Sequence, residues 1–280
     1  MSDKKYTKMV ISGGGINGIA IVGAISEFAN YYDINEIKEI IGVSVGSVIA
    51  ILIAVGYKMN EIENLFEDIE MNKFTEYDLQ NVFYSYGVDN GEMSKRLLKA
   101  VVANKKYDVG LTFKQLYEKR DIKLIITVTN LTLGRAEYLC IDNHPNMPIV
   151  DAVRISMSFP LMYTPVEYEK NMYIDGGVLA PYPIEYFEGA DDVIGFLINR
   201  SGMRKYESDS LDKYLYSLLF IILDVYQDKH YIGYEDNTVF MEKKDLIENV
   251  LSFNLTKEMK KDLMKKGRKC FVKYIANKKL

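Results

Sequence analysis

Few cysteines, few histidines and no long apolar run limit what this chain of 280 residues can be. Its two cysteines, Cys140 and Cys270, lie far apart in sequence, a spacing that gives neither a disulfide framework nor a zinc-binding pattern. The longest apolar stretch, residues 215–223, is interrupted by polar side chains and is too short to span a bilayer. The net charge of −4 and the isoelectric point near 5.5 argue against a general nucleic-acid-binding protein.

The composition, 48% hydrophobic and 26% charged, is typical of a globular protein. The first eight residues are polar and lead directly into an apolar stretch, which is not the pattern of a signal peptide. We therefore expect an intracellular, soluble protein, with at most transient contact with a membrane surface. No linker or internal repeat divides the chain. We expect one domain over residues 1–280, with a core at about 7–200 and a helical C-terminal part at 201–280.

Apolar segments with strand and helix periodicity alternate along the chain. Strands are predicted at residues 8–12, 39–41, 123–131, 135–141, 166–174 and 193–198, helices at 17–30, 47–54, 60–70, 92–103, 112–120, 149–158, 211–226 and 256–275, and a polar loop at 72–90. Asn60 with Glu63 and Thr112 with Gln115 form capping-box patterns, and Thr256 is predicted as an N-cap. This alternation predicts an α/β fold, a three-layer sandwich whose central, mainly parallel sheet is flanked by helices.

A G-x-S-x-G sequence, Gly42-Val43-Ser44-Val45-Gly46, separates a predicted strand from a predicted helix. A serine on so sharp a turn is exposed at the end of the sheet and faces the positive end of the following helix, as a nucleophile requires. Gly42 and Gly46 are needed because side chains there would collide across the turn. The alternative interpretation is a small-residue helix start, since the pattern also occurs by chance.

A glycine-rich turn, Ser12-Gly13-Gly14-Gly15-Ile16-Asn17-Gly18, follows the first predicted strand. Its glycines fit a dinucleotide-binding pattern, but the second strand ends in Gly-Val-Ser-Val-Gly instead of a ribose-binding acid. The same kind of turn serves as an oxyanion hole when its backbone N–H groups point at developing negative charge. A packing turn is the other interpretation. If the two glycine-rich turns lie on neighbouring strands, Ser44 and the oxyanion donors converge.

A nucleophilic serine needs a base, and the chain has only two histidines. His144 lies in a turn-like segment and His230 at a polar helix end, positions that are more typical of surface residues. Asp175 follows an apolar strand and precedes Gly176-Gly177, which places it at the carboxyl edge of the sheet, where α/β active sites form. A hairpin turn explains the same Asp-Gly pair equally well.

Together and in this order, the motifs resemble the patatin-like phospholipase family. They are Gly-Gly-Gly-x-x-Gly at 13–18, Gly-Val-Ser-Val-Gly at 42–46 and Asp-Gly-Gly at 175–177. Residues 111–117 and 125–131 resemble the middle section of that family, and Arg-Ile-Ser-Met-Ser-Phe-Pro at 154–160 resembles the stretch that precedes its aspartate. The resemblance covers about residues 7–200.

The resemblance implies a serine–aspartate dyad hydrolase that acts on acyl esters of lipids and needs no metal or other cofactor. Ser44 would be the nucleophile and Asp175 the proton acceptor. The expected oxyanion-hole and substrate-binding residues are Gly13, Gly14, Gly15, Asn17 and Gly18. Asn17 departs from the pattern, because many members have Arg or Lys there. The implied partner is a lipid substrate at a membrane or micelle surface; no nucleic acid is implied, and nothing in the sequence supports a homo-oligomer.

Two other functions fit the same residues. An ordinary α/β-hydrolase esterase has its triad in the chain order Ser-Asp-His, which Ser44, Asp175 and His230 satisfy. A pseudo-hydrolase would use the same pocket to bind a lipid or an anionic ligand, and Asn17 motivates that interpretation.

Two helical segments also keep alternatives open. The segment at 256–280 is rich in lysine and carries an apolar stripe of Leu255, Met259, Leu263, Cys270 and Tyr274. It is predicted either as a helix docked on the core with a solvated lysine face or as a helix that binds anionic membrane. Residues 215–223 predict a buried core helix, with an acyl-chain pocket or a dimer contact as alternatives.

Overall fold

The structure, a computed structural model, describes residues 5–70, 81–199, 211–227, 231–242 and 255–278. Its strands are β1 (Lys8–Ile11), β2 (Glu39–Val43), β3 (Gly87–Asp89), β4 (Lys123–Asn130), β5 (Arg135–Leu139), β6 (Leu161–Tyr163), β7 (Val166–Tyr168), β8 (Asn171–Asp175), β9 (Val193–Ile198) and β10 (Thr238–Met241). Its helices are α1 (Gly18–Phe28), α2 (Val45–Ala54), α3 (Met59–Asp68), α4 (Asn81–Ser85), α5 (Glu92–Asn104), α6 (Phe113–Arg120), α7 (Ile149–Ser156), α8 (Leu211–Gln227) and α9 (Lys257–Lys278).

Eight of the described strands form one sheet, in the order β10-β9-β1-β2-β4-β8-β7, with β5 also paired to β4. Neighbours from β10 to β4 are parallel, whereas β5 and β8 are antiparallel to β4. β3 and β6 form a separate parallel pair. The parallel strands are buried along nearly their whole length, as expected for a sheet covered on both faces. The predicted α/β three-layer architecture is confirmed.

Alternate side chains of each strand enter two different hydrophobic clusters. Met9, Ile40 and Ile126 belong to the larger cluster, which also contains apolar residues of α1, α2, α7 and α9. Their neighbours Val10, Ile41 and Ile125 point to the opposite face, where they meet Tyr182, Ile184 and Phe187. The period of two in a β-strand accounts for this division.

Three local predictions were wrong. Of the predicted loop at 72–90, residues 81–85 form α4 and 87–89 form β3, while 71–80 lie outside the described residues. The predicted strand at 166–174 is the hairpin β7–β8, which turns at Glu169 and Lys170 with φ values of 47° and 66°. These residues lack the Asn-Gly signature of such turns, so the turn was missed. The strands β6 and β10 were also not predicted.

The capping predictions had mixed outcomes. Thr112 and Gln115 form the predicted box at the start of α6, with bonds of 3.1 and 3.3 Å. Thr256 Oγ1 accepts the Met259 N–H at the start of α9, as predicted. The box predicted at Asn60 was wrong, because the N-cap of α3 is Lys58, two residues earlier, and Glu61 Oε2 accepts the N–H of Lys58 at 2.7 Å.

The C-terminal helix α9 is docked on α1. The two helices cross so closely that a Cβ atom at Gly267 would collide with the backbone of Ala20, and one at Gly23 with the backbone of Met264. Phe271 packs against Phe28 with ring centroids 5.8 Å apart. The buried face of α9 agrees with the predicted stripe only in part: Leu263 and Tyr274 are buried, as predicted, whereas Met259 is 43% exposed. Met264 and Phe271, which the stripe did not include, are also buried.

Basic residues of α9 bind the end of α3. Lys257 and Lys261 pair with Asp68 and Glu67 at 2.6 and 3.1 Å. The buried Lys260 Nζ donates to the backbone carbonyls of Glu67 and Ile69, where a positive charge complements the helix C-terminus. Burial lowers the pKa of Lys260 below its usual range. Of the two predictions for this segment, docking is the one that the packing supports.

None of the described helices has the length and apolar character that crossing a membrane requires.

Candidate active site

Ser44 follows β2 and Asp175 is the last residue of β8, two strands whose carboxyl ends meet along one edge of β4. Along this edge, β2 is paired with β4 as far as Val43, which lies opposite Thr127. β8 is paired with the same edge from Asp175, which lies opposite Val128. β5 pairs with residues 126–130 of β4 and therefore occupies the other edge throughout this region. β2 and β8 approach from opposite directions, so their carboxyl ends lie one residue step apart. The sequence analysis predicted that Asp175 lies at the carboxyl edge of the sheet, and the observed register agrees with that position.

Ser44 sits on a sharp turn between β2 and α2. Its φ of 53° and ψ of −124° are unusual for a residue with a side chain. The turn is tight because α2 starts at Val45, and a Cβ atom at Gly42 would lie 2.6 Å from the carbonyl oxygen of Gly46. A Cβ atom at Gly46 would in turn collide with the carbonyl oxygen of Ile11. Both motif glycines are therefore required by close packing, as predicted.

Asp175 is buried, with 1% of its surface exposed. Its Oδ1 accepts the N–H of Gly177 at 2.7 Å, which fixes the carboxylate at the start of the turn that follows. Gly176 packs against the backbone carbonyl of Thr127, where a Cβ atom would collide. The Asp-Gly-Gly sequence therefore marks the end of a strand at the sheet edge. It is not the turn of a hairpin.

A single segment at the end of α7 holds the backbones of Ser44 and Asp175. The Ser44 N–H donates to Ser156 Oγ at 2.9 Å, and the Ser156 hydroxyl donates to the carbonyl of Thr127 at 2.7 Å. Two residues later, the carbonyl of Ser158 accepts the Asp175 N–H at 3.0 Å. The sequence analysis noted this segment only as a resemblance. Its two serines, Ser156 at the last position of α7 and Ser158 just beyond it, were the available signal.

Arg154 ties this segment to the loops around it. The guanidinium is 5% exposed and donates to Ser158 Oγ at 2.6 Å, to the Asn90 carbonyl at 2.8 Å and to the Thr164 carbonyl at 3.3 Å. It also lies 5.5 Å from the centre of the Tyr163 ring. Burial lowers the pKa of Arg154 below its usual value, although a guanidinium keeps its charge under all ordinary conditions.

The glycine-rich turn lies beside Ser44. A Cβ atom at Gly13 would be 3.4 Å from the Ser44 Cβ, so the two turns are in van der Waals contact, as the sequence predicts. The Gly13 N–H donates to the Pro181 carbonyl at 3.3 Å. Gly15 has a φ of 56°, a conformation that glycine adopts without strain.

The predicted oxyanion residues divide into two groups. Gly13, Gly14 and Gly15 line the cavity that contains Ser44. Gly18 is absent from that lining and packs against the Val45 side chain. Asn17 is fully buried at the start of α1 and is also absent from the lining. The structure therefore does not place Asn17 or Gly18 against a substrate in this cavity.

A cavity of about 630 Å³ opens from Ser44 and Asp175. Its walls are mostly apolar and come from α2, α3, α5, α8 and the segment at 157–163; they include Val48, Leu52, Leu97, Leu98, Val101 and Met162. Asn64, Leu65 and Asp68 line the cavity and are exposed, so it reaches solvent beside α3. None of these lining residues was predicted, since they become neighbours only through packing of distant helices.

α8 forms part of this cavity wall. Phe220 and Leu223 are buried and line the cavity, and Phe220 stacks on Phe159 at 5.5 Å. The buried core helix predicted at 215–223 was therefore only half right, because Leu218 and Ile221 are 44% and 40% exposed.

Among the described residues, no histidine lines the cavity. His144 Nδ1 lies 2.9 Å from Asn143 Oδ1 and its ring packs near Tyr168, outside the cavity lining. His230 lies outside the described residues. Within the described ranges, no three side chains of His, Cys, Asp or Glu are grouped so that they could hold a metal ion.

Solved structures with the same fold include VipD and ExoU. VipD from Legionella pneumophila superposes with a TM-score of 0.68 at 17% identity, covering 99% of this chain and 67% of VipD. Full-length ExoU from Pseudomonas aeruginosa, in complex with SpcU, gives a TM-score of 0.58 at 16% identity and covers 99% and 53%. At such identities the likeness is one of fold.

Sequence relatives are closer. Uncharacterized protein R571 of Acanthamoeba polyphaga mimivirus is 36% identical over 200 residues, which are 70% of this chain and 66% of R571. Probable lipid hydrolase 463L of Invertebrate iridescent virus 6 is 30% identical over 192 residues, 66% of this chain and 64% of 463L. The matched part thus spans just under two thirds of both viral relatives. Uncharacterized protein YqhO of Bacillus subtilis is 27% identical over 296 residues, 94% of this chain and 96% of YqhO.

The sequence model of the patatin-like phospholipase family matches residues 9–188, and this chain belongs to that family.

Proposed function

We propose that this protein is a lipid acyl hydrolase that cleaves carboxylic ester bonds with Ser44 as nucleophile and Asp175 as base. The observation that carries the proposal is the meeting of β2 and β8 at Thr127 and Val128, which brings both residues to one end of an apolar cavity. The relative 463L is named a probable lipid hydrolase, which supports the proposal.

In the proposed reaction, Asp175 accepts the Ser44 hydroxyl proton while Ser44 Oγ attacks the ester carbonyl carbon. The tetrahedral intermediate collapses when its C–O bond to the alcohol breaks and Asp175 returns the proton to that leaving oxygen. Water then attacks the acyl-serine, with Asp175 again accepting a proton. The fatty acid leaves, and Ser44 regains its hydrogen. No redox step or metal ion is needed for this sequence.

The oxyanion is held by backbone amides of the glycine-rich turn in this proposal. The Ser44 N–H donates to Ser156 and the Gly13 N–H donates to Pro181, so neither is available for the substrate. The amides of Gly14 and Gly15 have no acceptor among the described residues and line the cavity. Two preorganised donors at that point stabilise negative charge on the carbonyl oxygen.

The acyl chain is the part of the substrate that the cavity recognises. Apolar side chains of α2 and α5 surround the space beyond Ser44. A volume of about 630 Å³ is large enough for a small-molecule ligand or a fatty acyl chain, and apolar walls favour the chain over a polar group.

A fluorophosphonate probe tests the nucleophile. We expect wild-type protein to be labelled on Ser44, the Ser44→Ala variant to remain unlabelled, and Asp175→Asn to react at least about a hundredfold more slowly. Ester hydrolysis by the same proteins should fall in parallel. An unlabelled wild-type protein would support the pseudo-hydrolase alternative instead.

A histidine variant tests the esterase alternative. In the esterase alternative, His230 is the base beside Ser44 and Asp175, and His230→Ala would lose most activity. The dyad proposal expects His230→Ala and His144→Ala to keep nearly wild-type rates of labelling and hydrolysis. A loss of about a hundredfold or more in His230→Ala alone would replace the dyad with a triad.

A further inference from the structure

α8 has apolar side chains on two opposite sides. Successive residues of a helix are rotated by about 100°, which assigns each side chain to a face. One face packs inward and consists of Tyr216, Leu219, Phe220 and Leu223. The opposite face, called the outer stripe below, consists of Tyr214, Leu215, Leu218 and Ile221, which are 47%, 37%, 44% and 40% exposed.

The outer stripe lies one helix diameter from the proposed acyl site. Phe220 and Leu223 line the cavity, and the reverse side of the same helix turns is exposed. At this point α8 is therefore the whole thickness of the wall between the cavity and the surface. A soluble protein does not need apolar residues on the exterior of such a wall, and contiguous exposed apolar residues mark an interaction surface.

A second exposed apolar group borders the same wall. Phe83, Tyr84 and Tyr86 are 84%, 85% and 60% exposed, on α4 and immediately before β3. β3 pairs with β6, whose Met162 and Tyr163 line the cavity.

The wall segment at 159–163 joins the two groups. β6 forms one end of it, and Phe159, at the other end, stacks on Phe220 of α8. The elements that carry the two groups, α8 and α4 with β3, thus both adjoin one short segment of cavity wall, and no side chain of either group is charged.

We propose that the outer stripe, with the aromatic group of α4, docks this protein on the surface of a neutral lipid aggregate such as a phosphatidylcholine bilayer. The apolar side chains enter the boundary between headgroups and acyl chains, and the aromatic rings lie at the headgroup level. The proposal rests on the proposed function, because the lipid layer that it places against the outer wall of the acyl cavity supplies the substrate of that function.

The size and charge of the surface favour a lipid layer as the occupant. A stable protein dimer buries about 800 Å² and some 20–30 residues on each partner, far more than the seven side chains of the outer stripe and the aromatic group. A lipid surface accepts a few apolar side chains at a time. Two lysines of α9, Lys257 and Lys261, are paired with Asp68 and Glu67 of α3, which reduces their attraction for anionic lipid.

Vesicle sedimentation with Ser44→Ala protein tests docking without turnover. On pure phosphatidylcholine vesicles, we expect the added pair Leu218→Gln and Ile221→Gln to weaken partitioning by about tenfold or more. The helix propensity of glutamine is close to that of leucine, so α8 should stay folded. Circular dichroism checks that it does. The matched control is Met259→Gln with Val272→Gln, two α9 residues that are 43% and 45% exposed. The control should bind like the parent, and high salt should leave parent binding unchanged.

Activity separates this proposal from the proposed function. In the Ser44 protein, the α8 pair should lower hydrolysis of vesicle lipid about tenfold and leave hydrolysis of a monomeric short-chain ester unchanged. Unchanged vesicle binding, an equal loss in the control pair, or loss of binding in high salt would overturn the docking surface. If light scattering detected a dimer of the parent protein but not of the α8 variant, the outer stripe would instead be the contact with a second copy of this chain. Failure of fluorophosphonate labelling would overturn the function alone, because vesicle binding is measured without Ser44.

Discussion

At the scale of single residues, the conformation of Ser44 depends on a neighbour that is distant in sequence. A non-glycine residue with φ of 53° and ψ of −124° costs on the order of 1–3 kcal/mol, which the surrounding contacts must offset. The bond from the Ser44 N–H to Ser156 Oγ, and the onward bond to Thr127, are the contacts that fix the turn on the side of β4.

Ser156→Ala should therefore reduce reactivity at Ser44 without touching substrate. The change leaves the Ser44 N–H and the Thr127 carbonyl without this partner in a buried site, at a cost of about 1–3 kcal/mol in the free energy of unfolding. We expect the second-order rate of fluorophosphonate labelling to fall about tenfold, because the turn relaxes and Ser44 Oγ leaves its position. Labelling kinetics and thermal unfolding measure the two effects.

Ser158→Ala is the matched control for that prediction. Ser158 is equally buried and also loses a side-chain bond, from Arg154, but its hydroxyl does not contact Ser44. Its stability loss should be similar, while its labelling rate stays near that of wild type. Equal falls in labelling for both variants would mean that Ser156 has only a structural role.

At the scale of elements, the crossing of α1 and α9 depends on two glycines. Glycine is about 1 kcal/mol less favourable than alanine inside a helix, so Gly267→Ala would stabilise an isolated α9. In the folded protein a methyl group at Gly267 collides with the backbone of Ala20. We expect Gly267→Ala to lower the free energy of unfolding by about 2 kcal/mol or more, because the helices must separate.

Denaturant unfolding measures that loss, with Lys269→Ala as the control. Lys269 is an exposed residue of the same helix, and its change should stay within about 0.5 kcal/mol. If Gly267→Ala proved as stable as the wild type or more so, α9 would not be packed on α1 as closely as described.

The same elements explain which parts of the fold were predictable. β1, β2, β4 and β9 were predicted because continuous apolar runs between turn signals are a local pattern. The hairpin turn at Glu169 and Lys170 was missed, because its φ values are imposed by the pairing of β7 with β8 and no local residue preference indicates them. The two faces of α8 were missed for a similar reason. Its sequence is apolar nearly all round, and only packing decides which side meets the cavity.

The candidate site divides in the same way. Ser44, Asp175 and the glycines at 13–15 were predicted because each motif ends a strand, and strand ends of an α/β sheet share an edge. Ser156 and the cavity walls were not predicted, since their roles depend on contacts between segments that are distant in sequence. Ser44 and Ser156, for example, are 112 residues apart. Asn17 was placed at the site by its position in a motif, but its side chain packs inside the protein.

At the scale of the whole molecule, the cavity couples elements from most of the chain. Its lining extends from Gly13 to Leu223, through α2, α3, α5 and α8. A chain of methylenes in the cavity therefore contacts many elements at once, and each buried methylene contributes about 0.8 kcal/mol. Ligand that binds only the folded state raises the stability of every element that it contacts.

Acyl-chain length should consequently be visible in the melting temperature. We expect protein modified on Ser44 by a long-chain alkyl phosphonate to melt at least about 5 °C above protein modified by a methyl-sized phosphonate. The difference arises because the long chain is buried in the folded protein and exposed to water in the unfolded one. If the chain forms one domain, as the sequence predicts, the gain appears as a shift of a single transition. Ser44→Ala protein, treated identically, should show no shift with either reagent. Equal shifts for both phosphonates would mean that the chain stays outside the cavity, and the acyl group would then have to bind elsewhere on the protein.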